Sequence, residues 1–205
     1  MKKLFLALLT LITTSCGLIQ YSVQDVVDLG YRSTLYLQTG GGHCSAFAID
    51  YDIVVTAAHC LETPNAALKF GDKLVLGEVL IDDDISDIAV IHTLERIPGV
   101  VPLLKNTDML KPGERLIGIG FPFYSGNEIT YNIGYFLGYD KDEIIATDVC
   151  YRGNSGGPVL DEYGRVVGVC SRIGPMIDFY GHGMDHSHKD LNILVSINKV
   201  LEMLQ

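Results

Sequence analysis

The stretch YRGNSGGPVL, residues 151–160, decides how this sequence is interpreted. One serine, Ser155, lies among three glycines and has a proline three residues after it, which excludes a regular helix or an unbroken strand. The pattern is typical of a tight loop that presents a single hydroxyl. Because a serine hydroxyl is a poor nucleophile at its ordinary pKa, a reactive Ser155 needs a positioned base and a group that orients the base.

A candidate base follows an apolar run in VVTAAHC, residues 54–60. The run ends at Thr56, and the two small alanines after it allow a tight turn that would present His59 at the end of a strand. Cys44 and Cys60 lie on neighbouring predicted segments and could attach the His59 loop to its neighbour. The sequence therefore predicts an accessible histidine rather than one inside a core.

The candidate carboxylate lies in DDDISDIAVIHT, residues 82–93, which contains four aspartates. Asp82, Asp83 and Asp84 form a charge run, which we interpret as a solvated turn, with weak calcium binding as the alternative. Asp87 differs because it directly precedes the apolar run IAVI. A carboxylate at the mouth of a strand can be partly buried and can accept a hydrogen bond from an imidazole.

The glycines around Ser155 fit a further requirement of acyl-transfer chemistry. A tetrahedral intermediate carries negative charge on the former carbonyl oxygen, and two backbone N–H groups aimed at one point stabilise it. Gly153 allows the backbone to turn so that its N–H and that of Ser155 converge. Gly156 and Gly157 leave room for a substrate chain and for close packing.

Together, TAAHC with His59, DIAV with Asp87 and GNSGGP with Ser155 resemble the trypsin-like serine peptidase family, whose triad follows the same order. SDIAV, the short separation between His59 and Asp87, and IGFPF (119–123) are similar to the HtrA/Deg branch. The resemblance covers residues 31–204. It implies an all-β fold of two six-stranded antiparallel barrels with a C-terminal α-helix, and a triad in the cleft between the barrels.

Short runs rich in Val, Ile, Leu and Tyr and bounded by turn residues agree with such a fold. They predict strands at 33–39, 45–49, 52–56, 73–81, 87–93, 114–120, 128–139, 143–147, 165–171 and 191–196. The one clear helix is the tail, for which Ser196 is a plausible N-cap. The predicted divisions are an N-terminal barrel at about 31–96, a proline-containing connection at 97–113, a C-terminal barrel at 114–196 and a helix at 197–204.

The sequence also departs from its relatives. No segment resembling a PDZ domain follows residue 204, so we do not transfer the regulation or oligomeric state of HtrA-type proteins. Cys44 and Cys60 match the histidine-loop disulfide of trypsin rather than typical HtrA sequences. Asn154 stands where trypsin-type zymogens place an aspartate, so we expect that no zymogen cleavage is needed.

By the resemblance, the primary substrate pocket lies between the residues before Gly153 and the strand around 169–173. Its predicted walls carry no acidic side chain, which favours a small or medium apolar residue before the scissile bond. Arg172 offers the alternative of an acidic residue. Cys150 and Cys170 would face each other across the pocket and could be bonded. The predicted pocket residues are Val149, Cys150, Tyr151, Cys170, Ser171 and Arg172.

Residues 1–15 are predicted to be a targeting signal. Two lysines precede LFLALLTLI (4–12), an apolar run too short to span a bilayer, and small residues then lead to Cys16. This resembles a bacterial lipoprotein signal in which Cys16 carries the lipid, and a cleaved secretory signal is the alternative. Residues 16–30 form a lead-in segment.

The cysteine count agrees with export. Without Cys16, the chain retains four of its five cysteines, and an even set in an oxidising compartment predicts disulfides. These are Cys44, Cys60, Cys150 and Cys170. We expect a protein of the bacterial cell envelope that is lipid-anchored and faces the periplasm or the exterior, with a soluble secreted protein as the alternative.

Composition and charge exclude other classes of protein. The 205 residues are 48% hydrophobic, which is too apolar for a disordered chain. The formal net charge of -10 argues against a nucleic-acid partner, since phosphate binding requires Lys and Arg.

In GHGMDHSHKD (181–190), three histidines and an aspartate could bind zinc. We interpret them as a polar loop near the pocket rim, because the family needs no metal or other cofactor.

The sequence therefore predicts a serine endopeptidase with protein or peptide substrates. Its catalytic residues would be His59, Asp87 and Ser155, with an oxyanion hole made by the N–H groups of Gly153 and Ser155. Two alternatives come from other classes. One is a catalytically silent peptide-binding protein, a chaperone or adhesin, on the same fold. The other is a metal-dependent hydrolase built on residues 181–190.

Overall fold

The strands of the protein close into two antiparallel barrels of six strands each. The computed structural model describes residues 21–104, 106–174 and 191–205. The predicted signal at 1–15, the predicted lipidation residue Cys16 and the histidine-rich stretch 181–190 lie outside the described residues. The fold class predicted from the sequence, two six-stranded barrels followed by a helix, is confirmed.

The first barrel has the strand order β1-β2-β3-β6-β5-β4. Its side chains alternate between core and surface, so that Leu35 and Leu37 of β1 both face inward beside Leu68 and Ile91. The strands are β1 (Thr34–Gln38), β2 (His43–Ala48), β3 (Ile53–Thr56), β4 (Asn65–Phe70), β5 (Lys73–Asp83) and β6 (Ile88–Thr93).

The second barrel has the order β10-β11-β12-β9-β8-β7. Phe136 is its largest buried side chain and packs with Leu116, Ile144 and Leu194 in one apolar cluster. The strands are β7 (Arg115–Gly120), β8 (Thr130–Asp140), β9 (Glu143–Thr147), β10 (Pro158–Leu160), β11 (Val166–Gly174) and β12 (Leu191–Ser196).

Two α-helices flank the barrels, α1 (Val23–Tyr31) and α2 (Ile197–Met203). As predicted, Ser196 caps α2, since its hydroxyl accepts a hydrogen bond from the Asn198 backbone N–H at 3.2 Å. Short 3₁₀ helices lie at Ala58–Cys60, Thr107–Met109 and Phe123–Ser125. None of the α-helices in the described ranges is long and apolar enough to cross a lipid bilayer.

The sequence analysis missed α1, β4 and β10. Helix α1 begins in the stretch that we assigned as a lead-in, where Ser22 and Asp25 form a reciprocal capping box. Val26 and Val27 of α1 are buried in the apolar cluster of the second barrel. Strand β4 contains two alanines and β10 has only three residues, so neither carries a strong β signal.

Candidate active site

His59 lies in the 3₁₀ helix that follows β3, as the apolar run and its two alanines predicted. A disulfide joins Cys60 in this helix to Cys44 on β2. The bridge therefore fixes the histidine segment to the neighbouring strand. About half of the His59 side chain is exposed, 48%, so the imidazole is accessible to solvent rather than enclosed in the core.

Asp87 is the aspartate that faces His59. Its backbone has φ 53°, a left-handed conformation that aspartate tolerates, immediately before β6. The carboxylate accepts hydrogen bonds from the His59 backbone N–H at 3.0 Å and from His59 Nδ1 at 2.9 Å. Because an ionised carboxylate only accepts, the proton of neutral His59 lies on Nδ1 and leaves Nε2 as an acceptor.

A third donor comes from the second barrel, because the Ser171 hydroxyl donates to Asp87 Oδ2. We assigned Ser171 to the pocket alone and missed this contact. Ser171 lies at an irregularity in the pairing of β11 with β12 that leaves it without a register partner. Such a break cannot be identified from sequence spacing. Asp87 is therefore held from both barrels, and only 18% of its side chain is exposed.

The two side chains alter each other's ionisation. The hydrogen bond to Asp87 raises the pKa of His59 above its ordinary value of 6.5, although partial burial opposes this shift. Partial burial acts to raise the pKa of Asp87, but hydrogen bonds from His59 and Ser171 outweigh it and the pKa lies below its ordinary value. The pair therefore favours an ionised Asp87 and makes Nε2 of neutral His59 more basic than that of a free imidazole.

Ser155 lies in the loop before β10 of the second barrel, next to the same disulfide. Its carbonyl oxygen is 3.8 Å from Cys60 Sγ and accepts a hydrogen bond from the Ser45 backbone N–H at 2.8 Å. Among the described residues, neither the Ser155 hydroxyl nor His59 Nε2 makes a hydrogen bond. Catalytic hydrogen bonds are commonly long or unformed before substrate binds.

The backbone around Ser155 leaves two N–H groups open. Arg152 O accepts from Phe123 N at 2.9 Å, and Asn154 O accepts from Gly157 N at 2.8 Å. Since C=O and N–H point in opposite directions in a trans peptide, these bonds aim the N–H groups of the next residues, Gly153 and Ser155, away from their carbonyl partners. In the part of the chain that the structure describes, neither of these N–H groups donates a hydrogen bond.

The loop before Ser155 requires a glycine at position 153. Its φ of 100° lies in the left-handed half of conformational space, which L side chains rarely adopt. A Cβ added there would lie 2.4 Å from Phe121 O. A larger residue would therefore rearrange the loop before Ser155, as the spacing of the glycines predicted.

A cavity of about 310 Å³ opens beside Ser155. Five of the six predicted pocket residues line it, and the sequence analysis missed Arg152 and Ile173. The lining residues are Cys150, Tyr151, Arg152, Ser155, Cys170, Ser171, Arg172 and Ile173. The sixth predicted residue, Val149, is not among them. It is fully buried in the second barrel, where its backbone and side chain contact Gly118 and Gly134.

The pocket contains the second disulfide, which joins Cys150 to Cys170. The bridge connects the segment before the serine loop to β11, so the bonded sulfurs form part of a pocket wall. Arg172 Nη2 is 2.5 Å from Glu143 Oε1, and this pair is partly exposed. No acidic residue is among the lining residues.

The described residues contain one group of three potential metal ligands, namely His59, Cys44 and Cys60. Both sulfurs are consumed in the disulfide, so no thiolate remains for a metal. This group therefore reflects the packing of the disulfide against the histidine.

These features are found in a known family. The chain matches the trypsin-like peptidase domain over residues 44–169, which is more than half of its length, and it belongs to that family. It is similar to HhoB of Synechocystis, with 36% identity over 147 residues that cover 64% of this chain and 35% of that protein. It is also similar to the human serine protease HTRA3, with 32% identity over 70% of this chain and 36% of that protein.

The chain thus spans about a third of the length of these curated relatives. Among solved structures, it resembles the active form of the Rv3671c protease from M. tuberculosis, with a TM-score of 0.71 and 21% identity. That match covers 87% of this chain and 82% of the other. At such identity the likeness shows the fold alone, which is the trypsin-like fold of two barrels.

Proposed function

We propose that this chain is a serine endopeptidase that hydrolyses peptide bonds through His59, Asp87 and Ser155. The observation that carries the proposal is the convergence of three donors on Asp87, two of them from His59, across the cleft from Ser155. The two open N–H groups beside the serine supply the second requirement, a site for an oxyanion. Similarity to proteins named serine proteases supports the same reaction.

In this mechanism, His59 Nε2 takes the proton of the Ser155 hydroxyl as Oγ attacks the peptide carbonyl carbon. The carbonyl π electrons move to oxygen, where the N–H groups of Gly153 and Ser155 stabilise the charge. When the carbonyl reforms, the C–N bond breaks and His59 returns its proton to the leaving amine. Water then attacks the acyl-enzyme with the same base and releases the acid and free Ser155.

Asp87 has a positioning role in this scheme. It holds the Nδ1 proton in place and stabilises the imidazolium that forms during each step, while remaining ionised because its own pKa is lowered. Ser171 fixes the second carboxylate oxygen. His59 and Asp87 are thus oriented by contacts within the protein, and substrate is not needed to orient them.

For specificity, we propose a small or medium apolar residue before the scissile bond. A cavity of about 310 Å³ with a disulfide in its wall offers modest room, and its described lining residues supply no counter-charge for a basic side chain. The alternative, an acidic residue, would require Arg172 to exchange its partner Glu143 for the substrate.

A fluorophosphonate probe tests the activity. We expect it to label the wild-type chain at Ser155 and to leave Ser155→Ala unlabelled. Ser22→Ala removes a hydroxyl at the N-cap of α1 and should be labelled like the wild type. A folded wild-type chain that remains unlabelled and cleaves no peptide in a library would contradict the proposal and favour a peptide-binding protein.

We also propose that the protein is exported and anchored by a lipid on Cys16, because of the lipoprotein-like signal and the two disulfides. Cells that express the full chain with radioactive palmitate should yield a labelled protein in the membrane fraction. Cys16→Ala should remove the label. An unlabelled wild-type protein in the culture medium would instead indicate a cleaved secretory signal.

A further inference from the structure

Strand β2 of the first barrel reaches across the junction to the loop that carries Ser155. His43 and Ser45 occupy alternate positions on β2, so both side chains leave the same face of the strand. Both make hydrogen bonds to the second barrel. We call these two residues the β2 clamp. Neither residue is among the candidate site residues predicted from the sequence.

The Ser45 hydroxyl bridges two segments of the second barrel. It donates to Gly153 O at 2.9 Å and accepts from the Phe121 backbone N–H at 3.0 Å. The Ser45 backbone N–H donates to Ser155 O at 2.8 Å. Ser45 is completely buried, and its bond to Gly153 O is buried as well, whereas the bond from Phe121 N–H is partly buried.

His43 secures the same loop from the neighbouring position. Its Nε2 donates to Phe121 O at 2.6 Å, and its ring packs edge-on against Phe123 with 4.6 Å between ring centroids. Phe123 in turn donates its N–H to Arg152 O, the bond that turns the Gly153 N–H away from Phe123 and leaves it open in the described chain. A continuous set of contacts therefore leads from β2 to the oxyanion-binding peptide.

We propose that Ser45, supported by His43, is a positioning residue that holds the N–H groups of Gly153 and Ser155 in the geometry that binds the oxyanion. This inference rests on the proposed peptidase function. Without the Ser45 hydroxyl, Phe121 N–H and Gly153 O each lose a hydrogen-bond partner. Because an unpaired buried polar group costs free energy, the backbone at both residues would rotate to find other partners. Gly153 permits such a turn because a glycine passes readily between conformations.

Space around Ser45 makes replacement of the hydroxyl difficult. A Cβ added at Gly120 would lie 2.7 Å from Ser45 Oγ, and one added at Gly157 would lie 3.2 Å from Ser45 Cβ. Such close approach means that the hydroxyl fills the gap between three backbone segments. The space around Ser45 Oγ is therefore too small for another side chain to enter and replace its two hydrogen bonds.

The test is Ser45→Ala, with kcat and KM measured separately on a peptide substrate. We expect kcat to fall by about 10- to 100-fold with little change in KM, somewhat less than the loss of a direct oxyanion donor, about 100- to 1,000-fold. Affinity for a peptide aldehyde, whose adduct carries an oxyanion, should fall in parallel. Affinity for the cleavage product of the same sequence, which ends in a carboxylic acid and forms no adduct, should not change.

Ser33→Ala is the matched control. Ser33 is also completely buried and donates to a backbone carbonyl, Gly30 O at 3.0 Å, but it lies outside the clamp. It should lose similar thermal stability and retain kcat. His43→Phe, which keeps a stacking ring but removes the donor to Phe121 O, should lower kcat by a smaller factor and provides a second variant if Ser45→Ala does not fold.

Two results would overturn the inference. If Ser45→Ala and His43→Phe fold and retain the kcat of Ser33→Ala, the clamp does not position the oxyanion site, although the peptidase function stands. If the wild-type chain is folded but hydrolyses no peptide, the proposed function fails and this inference fails with it.

Discussion

The two sides of the cleft differ in how far their hydrogen bonds are completed. On the first barrel, His59 directs two donors to Asp87, and Ser171 of the second barrel supplies a third. On the second barrel, the carbonyls around Ser155 are paired but its hydroxyl and the two N–H groups are open in the described chain. The Asn154 side chain is fully buried there, and neither of its polar atoms has a partner among the described residues.

The hydrogen bonds of Asp87 therefore form when the protein folds, whereas we expect those of the Ser155 side to form only when substrate binds. His59 and Asp87, the proposed base and its carboxylate, are already hydrogen-bonded to each other in the folded protein. On the side that carries Ser155, the N–H groups of Gly153 and Ser155 are open in the described chain. In the proposed mechanism they would donate to the substrate carbonyl oxygen as negative charge develops on that oxygen. Variants of the two sides should therefore change different measurable quantities.

The largest effect is expected from Asp87→Asn, which breaks the completed side. Three donors converge on this carboxylate, and an amide can accept from only some of them because its nitrogen is itself a donor. His59 would then place its proton on Nε2, where it cannot accept one from Ser155. We expect kcat to fall by about 10⁴-fold. Asp52→Asn, which alters a surface carboxylate 3.7 Å from His92, should leave kcat unchanged.

The same variant determines the sign of the pH dependence. The wild-type kcat/KM should rise with pH as His59 loses its proton, with a midpoint above 6.5 because Asp87 raises the pKa of His59. In Asp87→Asn the opposing effect of burial remains, so NMR titration of His59 should give a lower pKa than in the wild type. An unchanged His59 pKa would contradict the assigned partnership.

A smaller effect is expected when the two disulfides are removed in turn. Replacing both Cys150 and Cys170 by alanine removes two sulfurs from the pocket wall, so larger apolar residues should be favoured over small ones by about 10-fold in kcat/KM. Replacing Cys44 and Cys60 should instead leave this ratio unchanged and reduce the free energy of unfolding by about 3 kcal/mol.

Cleavage of a peptide library with purified variants distinguishes these outcomes. If the Cys44 and Cys60 variant changed the ratio as strongly as the Cys150 and Cys170 variant, the pocket assignment would be wrong. Thermal unfolding of both variants provides the stability comparison.

The smallest effect is expected from Arg172→Ala. The Arg172–Glu143 pair is partly exposed, and such pairs contribute about 0–1 kcal/mol. Cleavage after apolar residues should therefore change by less than about 5-fold. A selective loss of cleavage after Asp or Glu would instead support the acidic alternative. Glu143→Ala, which frees Arg172, should enhance cleavage after acidic residues only in that case.

Local patterns in the sequence predicted most of the strands and the position of His59. The apolar runs end where the structure ends its strands to within a few residues, because turn residues bound them. The assignment of Asp87 over its three neighbours also followed from its place before an apolar run. The pairing of Cys150 with Cys170 needed the resemblance as well, since spacing alone leaves several pairings open.

Contacts between the barrels could not be predicted in this way. The hydrogen bonds of Ser171 to Asp87 and of Ser45 to Gly153 join residues 84 and 108 positions apart. They depend on a strand irregularity and on the docking of two barrels, and neither leaves a periodic signal. Val149 illustrates the same limit, since one step along the chain separates a pocket wall from the core.

These long-range bonds also bear on when the centre comes into existence. The loop that carries Ser155 bonds to Ser45 on β2, a residue that is synthesised more than a hundred positions before the loop. Contacts of such wide separation form late and slowly. A nascent chain would thus carry His59, Asp87 and Ser155 as unconnected fragments, and the proposed hydrolytic centre would form only after the second barrel has closed.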